Sequence, residues 1–157
     1  MDILSSGIID SLPVRAFDQG EILIEEGSQA AEIFFLKSGV VEVFKGDTLI
    51  TKEFEPGAVF GEMSVLLGSD STATVKVIAP SVFYVAENGA EFLKSNPELS
   101  LYLATVLAMR LEAVTRYLAD VKGQYAEDGT HLGMVDSLLS TLMVRHPRRI
   151  ERGNRGH

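Results

Sequence analysis

Phe60-Gly61-Glu62-Met63-Ser64-Val65-Leu66-Leu67-Gly68-Ser69-Asp70-Ser71-Thr72-Ala73-Thr74-Val75 is the segment on which the fold turns. Its second half and the residues after it alternate. Ala73, Val75 and Val77 fall on one side of an extended chain, with Thr72, Thr74 and Lys76 on the other, as in a strand with one buried face. Outward from this segment, further short β-like runs occupy residues 14–17, 21–24, 32–36, 40–44, 49–54 and 81–86, with Gly20, Gly27, Gly39, Gly46-Asp47 and Pro56-Gly57 between them. Regular punctuation of this kind predicts a closed or sandwiched antiparallel β domain.

After Ala86 the period becomes helical. Residues 87–95 read as a short helix, and Asn96-Pro97-Glu98 opens another, with Asn96 as N-cap and Pro97 at the first helical position. Ala104, Leu107, Leu111, Val114, Leu118 and Val121 then recur at spacings of three and four, a heptad seam of roughly two and a half repeats. It either joins two copies of the chain or packs on the chain's own β domain. Gly123 is expected to end this helix. A final amphipathic helix carries Leu132, Val135, Leu139 and Leu142 on one face, to be covered by the domain, by a dimer mate or by another protein.

Composition excludes several classes of function. The chain has 157 residues, of which 46% are hydrophobic, and no Cys. It suits one domain with short extensions and rules out disulfides and thiolate metal sites. His131, His146 and His157 form no ligand cluster, and no apolar run or N-terminal leader points to a membrane or to export, so a cytoplasmic protein is expected. Residues 1–144 hold nine Lys and Arg against 21 Asp and Glu, a net of −12, whereas residues 145–157 hold five Arg and one Glu, a net of +4. The acidic body should repel nucleic acid. The basic tail reads either as a disordered end or as a contact for an acidic partner.

The 60–75 segment resembles the phosphate-binding cassette of cyclic-nucleotide-binding domains. There a Phe-Gly-Glu opening leads through a one-turn helix and a loop to an Arg, then a small residue and Ala-Thr-Val. Phe17-Asp18-Gln19-Gly20-Glu21-Ile22-Leu23-Ile24-Glu25-Glu26-Gly27 resembles the opening β segment of the same family, and Ile33-Phe34-Phe35-Leu36-Lys37-Ser38-Gly39-Val40-Val41-Glu42-Val43 its Gly-containing hairpin, so the likeness covers about residues 13–121. The resemblance implies an α+β, mainly β fold: an eight-stranded jelly-roll-like β-roll with flanking helices, a long C-terminal helix serving as lid and dimer seam, and a short extra helix. It divides the chain into a helical lead-in (1–12), the domain (13–121), a helical extension (122–144) and the basic tail (145–157).

The same likeness supplies the candidate ligand-binding residues Gly61, Glu62, Met63, Ser64, Ser71, Thr72, Ala73 and Thr115. Glu62 stands where the family's carboxylate accepts from a ribose hydroxyl. Gly61 to Ser64 stand where backbone N–H groups at a helix start hold the phosphate. Ser71, however, occupies the place of the Arg whose planar fork pairs with phosphate, and Asp70 beside it adds a negative charge. One charged hydrogen bond lost costs on the order of 1.5–3 kcal/mol, roughly ten- to a hundred-fold in affinity. Lys76 lies about 16 Å further along the strand, out of reach, so a replacement would have to be a Lys or Arg from elsewhere, such as Arg110 or Arg116 on the long helix. Thr72 and Thr115 stand where relatives place base contacts, and each also reads as an ordinary strand or helix residue.

No helix-turn-helix pattern follows the long helix, which argues against sequence-specific DNA binding. No nucleophile, base and orienting group occur together, so no enzyme is expected; Glu25-Glu26 and Glu53-Phe54-Glu55 read as solvated charges. Two functions remain. One is a regulatory module that binds cyclic AMP, cyclic GMP or another cyclic nucleotide weakly, or an altered nucleotide ligand, forms a homodimer and signals to a protein partner, with no cofactor. The other is a ligand-independent interaction module on the same scaffold.

Overall fold

The computed structural model describes residues 2–124 and 132–143. In chain order its elements are β1 (Val14–Phe17), β2 (Ile22–Ile24), β3 (Ile33–Lys45), β4 (Thr48–Glu53), β5 (Val59–Phe60), α1 (Glu62–Leu67), β6 (Thr74–Ala86), α2 (Gly89–Ser95), α3 (Pro97–Gln124) and α4 (Leu132–Met143). The chain divides into two compact units, the first ending at Tyr102 and the second beginning at Leu103. The basic tail, 145–157, and the stretch 125–131 lie outside the described residues.

The first unit is one antiparallel sheet in the order β1-β6-β3-β4, with β2 added to β6 and β5 to β3. This is the mainly β architecture that the sequence implies, built from six strands rather than eight. The difference lies in β3 and β6. Each is 13 residues long and runs through a position that reads locally as a break, Gly39 in β3 and Pro80 in β6. The register between them shifts from Leu36↔Phe83 to Ser38↔Val82, Val40↔Ala79 and Val41↔Val77, so both strands bend while staying paired. Pro80 has no N–H to give, and it sits where the ladder is already irregular.

The bend is held by Ser81. Its hydroxyl, 1% exposed, accepts from the Val40 N–H at 3.0 Å and donates to the Ala79 carbonyl at 2.8 Å. Gly39, at φ +120°, lies so close that a Cβ there would stand 2.0 Å from the Ser81 hydroxyl oxygen and 2.5 Å from its Cα. Only glycine fits.

Odd-numbered residues of β6 turn inward. Val75, Val77, Phe83 and Val85 join Ile24, Phe34, Leu36, Val41 and Phe60 in the core. Phe83 is its hub, meeting Phe17, Phe34 and Phe60 edge-to-face at 5.7, 6.1 and 6.3 Å between centroids. Ile33 and Phe35, on the opposite side of β3, are also fully buried. α2 covers them: Phe92 meets Phe35 at 6.5 Å, and Gly89 donates to the Ala31 carbonyl at 2.8 Å. Asn88 caps this helix by accepting from the Glu91 N–H at 3.2 Å.

Three local expectations change. Residues 3–12 wind through turns rather than a helix: Gly7, at φ +78°, breaks the helical path, while Ile3 and Ile9 stay buried. β6 begins at Thr74, with Thr72 and Ala73 in a bend before it. Gly123 does not stop α3, which continues to Gln124; it lacks the left-handed φ that a glycine terminator adopts. α3 does begin at Pro97, with the Ser100 N–H on the Asn96 carbonyl at 3.1 Å.

In the second unit, Leu111 and Val114 are exposed while Leu107, Leu118 and Val121 are half-buried. Val135, Leu139 and Leu142 are half-buried on α4, whereas Met134 and Leu138 are exposed. Lys122 of α3 pairs with Asp136 of α4. None of the described helices is long and apolar enough to cross a membrane.

The Gly39–Ser81 crossing yields a test. Gly20→Ala meets nothing within 4 Å at a similarly positive φ of +95°, so it carries only the backbone cost of about 1–2 kcal/mol. Gly39→Ala adds the clash, and in urea unfolding it should lose at least about 1 kcal/mol more than Gly20→Ala.

Candidate functional site

β5 delivers the chain into the site. Phe60 pairs with Phe34 and Val59 with Phe35, and Phe60 buries its ring against Phe83. Gly61 then turns the chain at φ +88°. It has no room for a side chain, because a Cβ would lie 2.6 Å from the Glu32 carbonyl oxygen. With no side chain to cap it, α1 starts directly at Glu62, and the first α1 hydrogen bond from beyond the opening turn runs from the Val65 N–H to the Gly61 carbonyl at 3.2 Å.

Glu62 and Ser64 are both buried, at 5% and 7% exposure, whereas Met63 is half in solvent. Leu66 and Leu67 are exposed as well, so the helix turns its polar residues inward and its apolar ones out. This inverts the usual arrangement for a surface helix. Gly68, at φ +60°, ends it by donating to the Ser64 and Val65 carbonyls, and the Ser69 N–H also reaches the Ser64 carbonyl at 3.1 Å.

The return limb is tied to the loop between β2 and β3. The Ser71 N–H donates to the Ser28 carbonyl at 2.8 Å, the Gly27 N–H donates to the Ser71 carbonyl at 2.8 Å, and Gln29 bridges Asp70. Thr74 continues the seam through its hydroxyl, which accepts from the Glu26 N–H at 3.0 Å. Glu26 in turn takes the Gly46 N–H on its carboxylate at 2.8 Å. The 25–29 loop is thus part of the site, although residue type alone does not single it out. The Gly27 turn is its one local sign.

Ser71 itself is buried at 8% exposure, and its hydroxyl points back to the Ala73 carbonyl at 3.4 Å. Thr72 is exposed and Ala73 half-buried. The structure therefore gathers Gly61, Glu62, Met63, Ser64, Ser71, Thr72 and Ala73 on α1 and the limb that follows it. Thr115 belongs to α3 in the second unit, where its hydroxyl donates to the Leu111 carbonyl one turn back at 2.8 Å. Arg116 is engaged on its own helix: the Glu112 carboxylate takes it at 2.7 Å through both oxygens. That hydrogen bond, with the Glu112 charge, raises the guanidinium pKa above its ordinary value. Among the described residues no group of three His, Cys, Asp or Glu could hold a metal ion.

The sequence profile of the cyclic nucleotide-binding domain matches residues 14–93. The chain is 33% identical over 84 residues to the cAMP-dependent protein kinase regulatory subunit of Hypocrea atroviridis, a match covering 54% of this chain and 18% of that protein. It is 32% identical over 71 residues to cGMP-dependent protein kinase 2 of Homo sapiens, covering 45% and 9%. The chain thus spans less than a fifth of either relative. Among solved structures, the Thermus thermophilus catabolite activator protein superposes with a TM-score of 0.65 at 20% identity, over 73% of this chain and 57% of that one, which establishes a shared fold. With the profile spanning more than half of the chain and centred on the β-roll and its Phe60–Val75 cassette, the chain belongs to the cyclic nucleotide-binding domain family.

Proposed function

We propose that the chain is a non-catalytic regulatory module of the cytoplasm. It binds a cyclic nucleotide weakly, or an altered nucleotide ligand, at α1 and the limb after it, and passes the bound state to a protein partner through α3. The observation that carries this reading is the start of α1: an uncapped helix end at Gly61, with Glu62 and Ser64 buried beside it. A carboxylate accepts hydroxyl donors, and uncapped N–H groups donate to ligand oxygens.

Weak binding follows from position 71. A serine whose hydroxyl turns to its own backbone offers a phosphate neither charge nor a fork. That same observation favours the second reading, a ligand-independent interaction module. The acidic composition of the chain supports a role without nucleic acid.

Two measurements test these assignments. In calorimetry, Ser71→Arg should bind cyclic AMP about ten- to a hundred-fold more tightly than the parent; a folded variant with the parent's affinity overturns the pocket. We also assign a homodimer to the α3 seam, supported by the exposure of Leu111 and Val114 at 43% and 50% within a heptad pattern. Sedimentation should show a dimer, with Val114→Glu shifting it to monomer; a monomeric parent refutes the seam.

A further inference from the structure

We propose that the free edge of β4 docks an extended segment of another protein, added antiparallel as a further strand and carrying a carboxylate beside a Lys or Arg. None of the residues of β4 belongs to the pocket proposed above, so the two stand or fall separately. Among the described residues β4 pairs with β3 alone, at the end of the order β1-β6-β3-β4. A strand with one neighbour leaves half of its N–H and C=O groups pointing outward, where another strand can pair with them.

Side chains set this edge apart. Thr48 to Lys52 are all exposed, and no residue of β4 joins the core. Leu49, Ile50 and, one residue past the strand, Phe54 are 51%, 58% and 66% exposed. Apolar side chains left in water along an open edge suit a surface that a partner strand covers.

Charge decides the partner. Lys52 and Lys76 both stand opposite Glu42, so one row across β6, β3 and β4 reads plus, minus, plus and ends on Lys52. Glu53, the next residue, stands opposite Val41, and Val41 opposite Val77, so its row holds no base. Its carboxylate takes only the Glu55 N–H, at 3.1 Å. A strand with a carboxylate opposite Lys52 and a Lys or Arg opposite Glu53 completes both rows. A second copy cannot supply them. From Thr51 onward, two β4 strands paired antiparallel about a two-fold axis match even positions with even and odd with odd. Lys52 and Glu53 then each meet a like charge or an uncharged residue, and never one another. The charges that guard the edge against self-pairing are thus the ones that select its partner.

The test adds two end-capped synthetic peptides of one composition to the full chain and follows its amide shifts by NMR. Val-Lys-Glu-Val-Thr-Val, laid antiparallel from Phe54 to Leu49, sets Lys opposite Glu53 and Glu opposite Lys52; Val-Glu-Lys-Val-Thr-Val reverses both. The first should bind at least about threefold more tightly than the second, with shifts centred on β4. The double variant Lys52→Glu with Glu53→Lys should invert the preference. Val-Lys-Glu-Pro-Pro-Val, which lacks two N–H groups, should lose binding. Binding of neither of the first two peptides by the parent at millimolar concentration, equal binding of the two, or binding that survives the prolines overturns the proposal. So does self-association of the parent that Ile50→Lys abolishes and Val114→Glu leaves intact, because the edge then belongs to a second copy.

Discussion

The first unit depends on the contact of β3 with β6 at Gly39 and Ser81. Two 13-residue strands can serve both halves of a roll only if they bend without separating. Bending exposes backbone groups that must find partners. Ser81 provides them from inside the sheet, accepting from Val40 and donating to Ala79, and Gly39 leaves it the space. The ring cluster around Phe83 forms two residues further along β6 because the bend keeps the odd positions inward on both sides of Pro80.

The site inherits its rigidity from this frame. Phe60 joins the last residue of β5 to the ring cluster, so the start of α1 is fixed by the core one residue before Gly61. At the other end, Ser71 is clamped in backbone bonds to Gly27 and Ser28. Between them, a six-residue helix holds Glu62 and Ser64 in a position that neither helix propensity nor amphipathicity would choose. Polar burial on so short a helix is maintained by tertiary constraint.

Much of this is legible in the residues. The alternation of residues 72–78 marks the inward face of β6, Asn96-Pro97 marks the start of α3, and the Phe-Gly-Glu opening marks the cassette, with the candidates from Gly61 to Ala73 on α1 and the following limb. What local residue type does not reveal is non-local. Gly39 and Pro80 are local breakers, and only the long-range register shows that the strands continue through them. The 25–29 loop joins the site mostly by main-chain bonds between segments distant in sequence, and the Gly27 turn alone marks it locally. Local propensity misleads at Gly123 and at residues 3–12: whether a glycine ends a helix depends on its φ, and the buried Ile3 and Ile9 fit a run of turns as well as a helix.

The crowding at Gly61 has a mechanical consequence. Its backbone is pressed against the Glu32 carbonyl, and Glu32 is itself held by Arg15, so the leading end of α1 is fixed in place. Gly68, at the trailing end, has nothing within 4 Å of where a Cβ would stand, and Leu66 and Leu67 beside it are exposed. A residue larger than glycine is therefore barred from the first end by contact with main chain, whereas at the second it bears only the cost of a left-handed backbone.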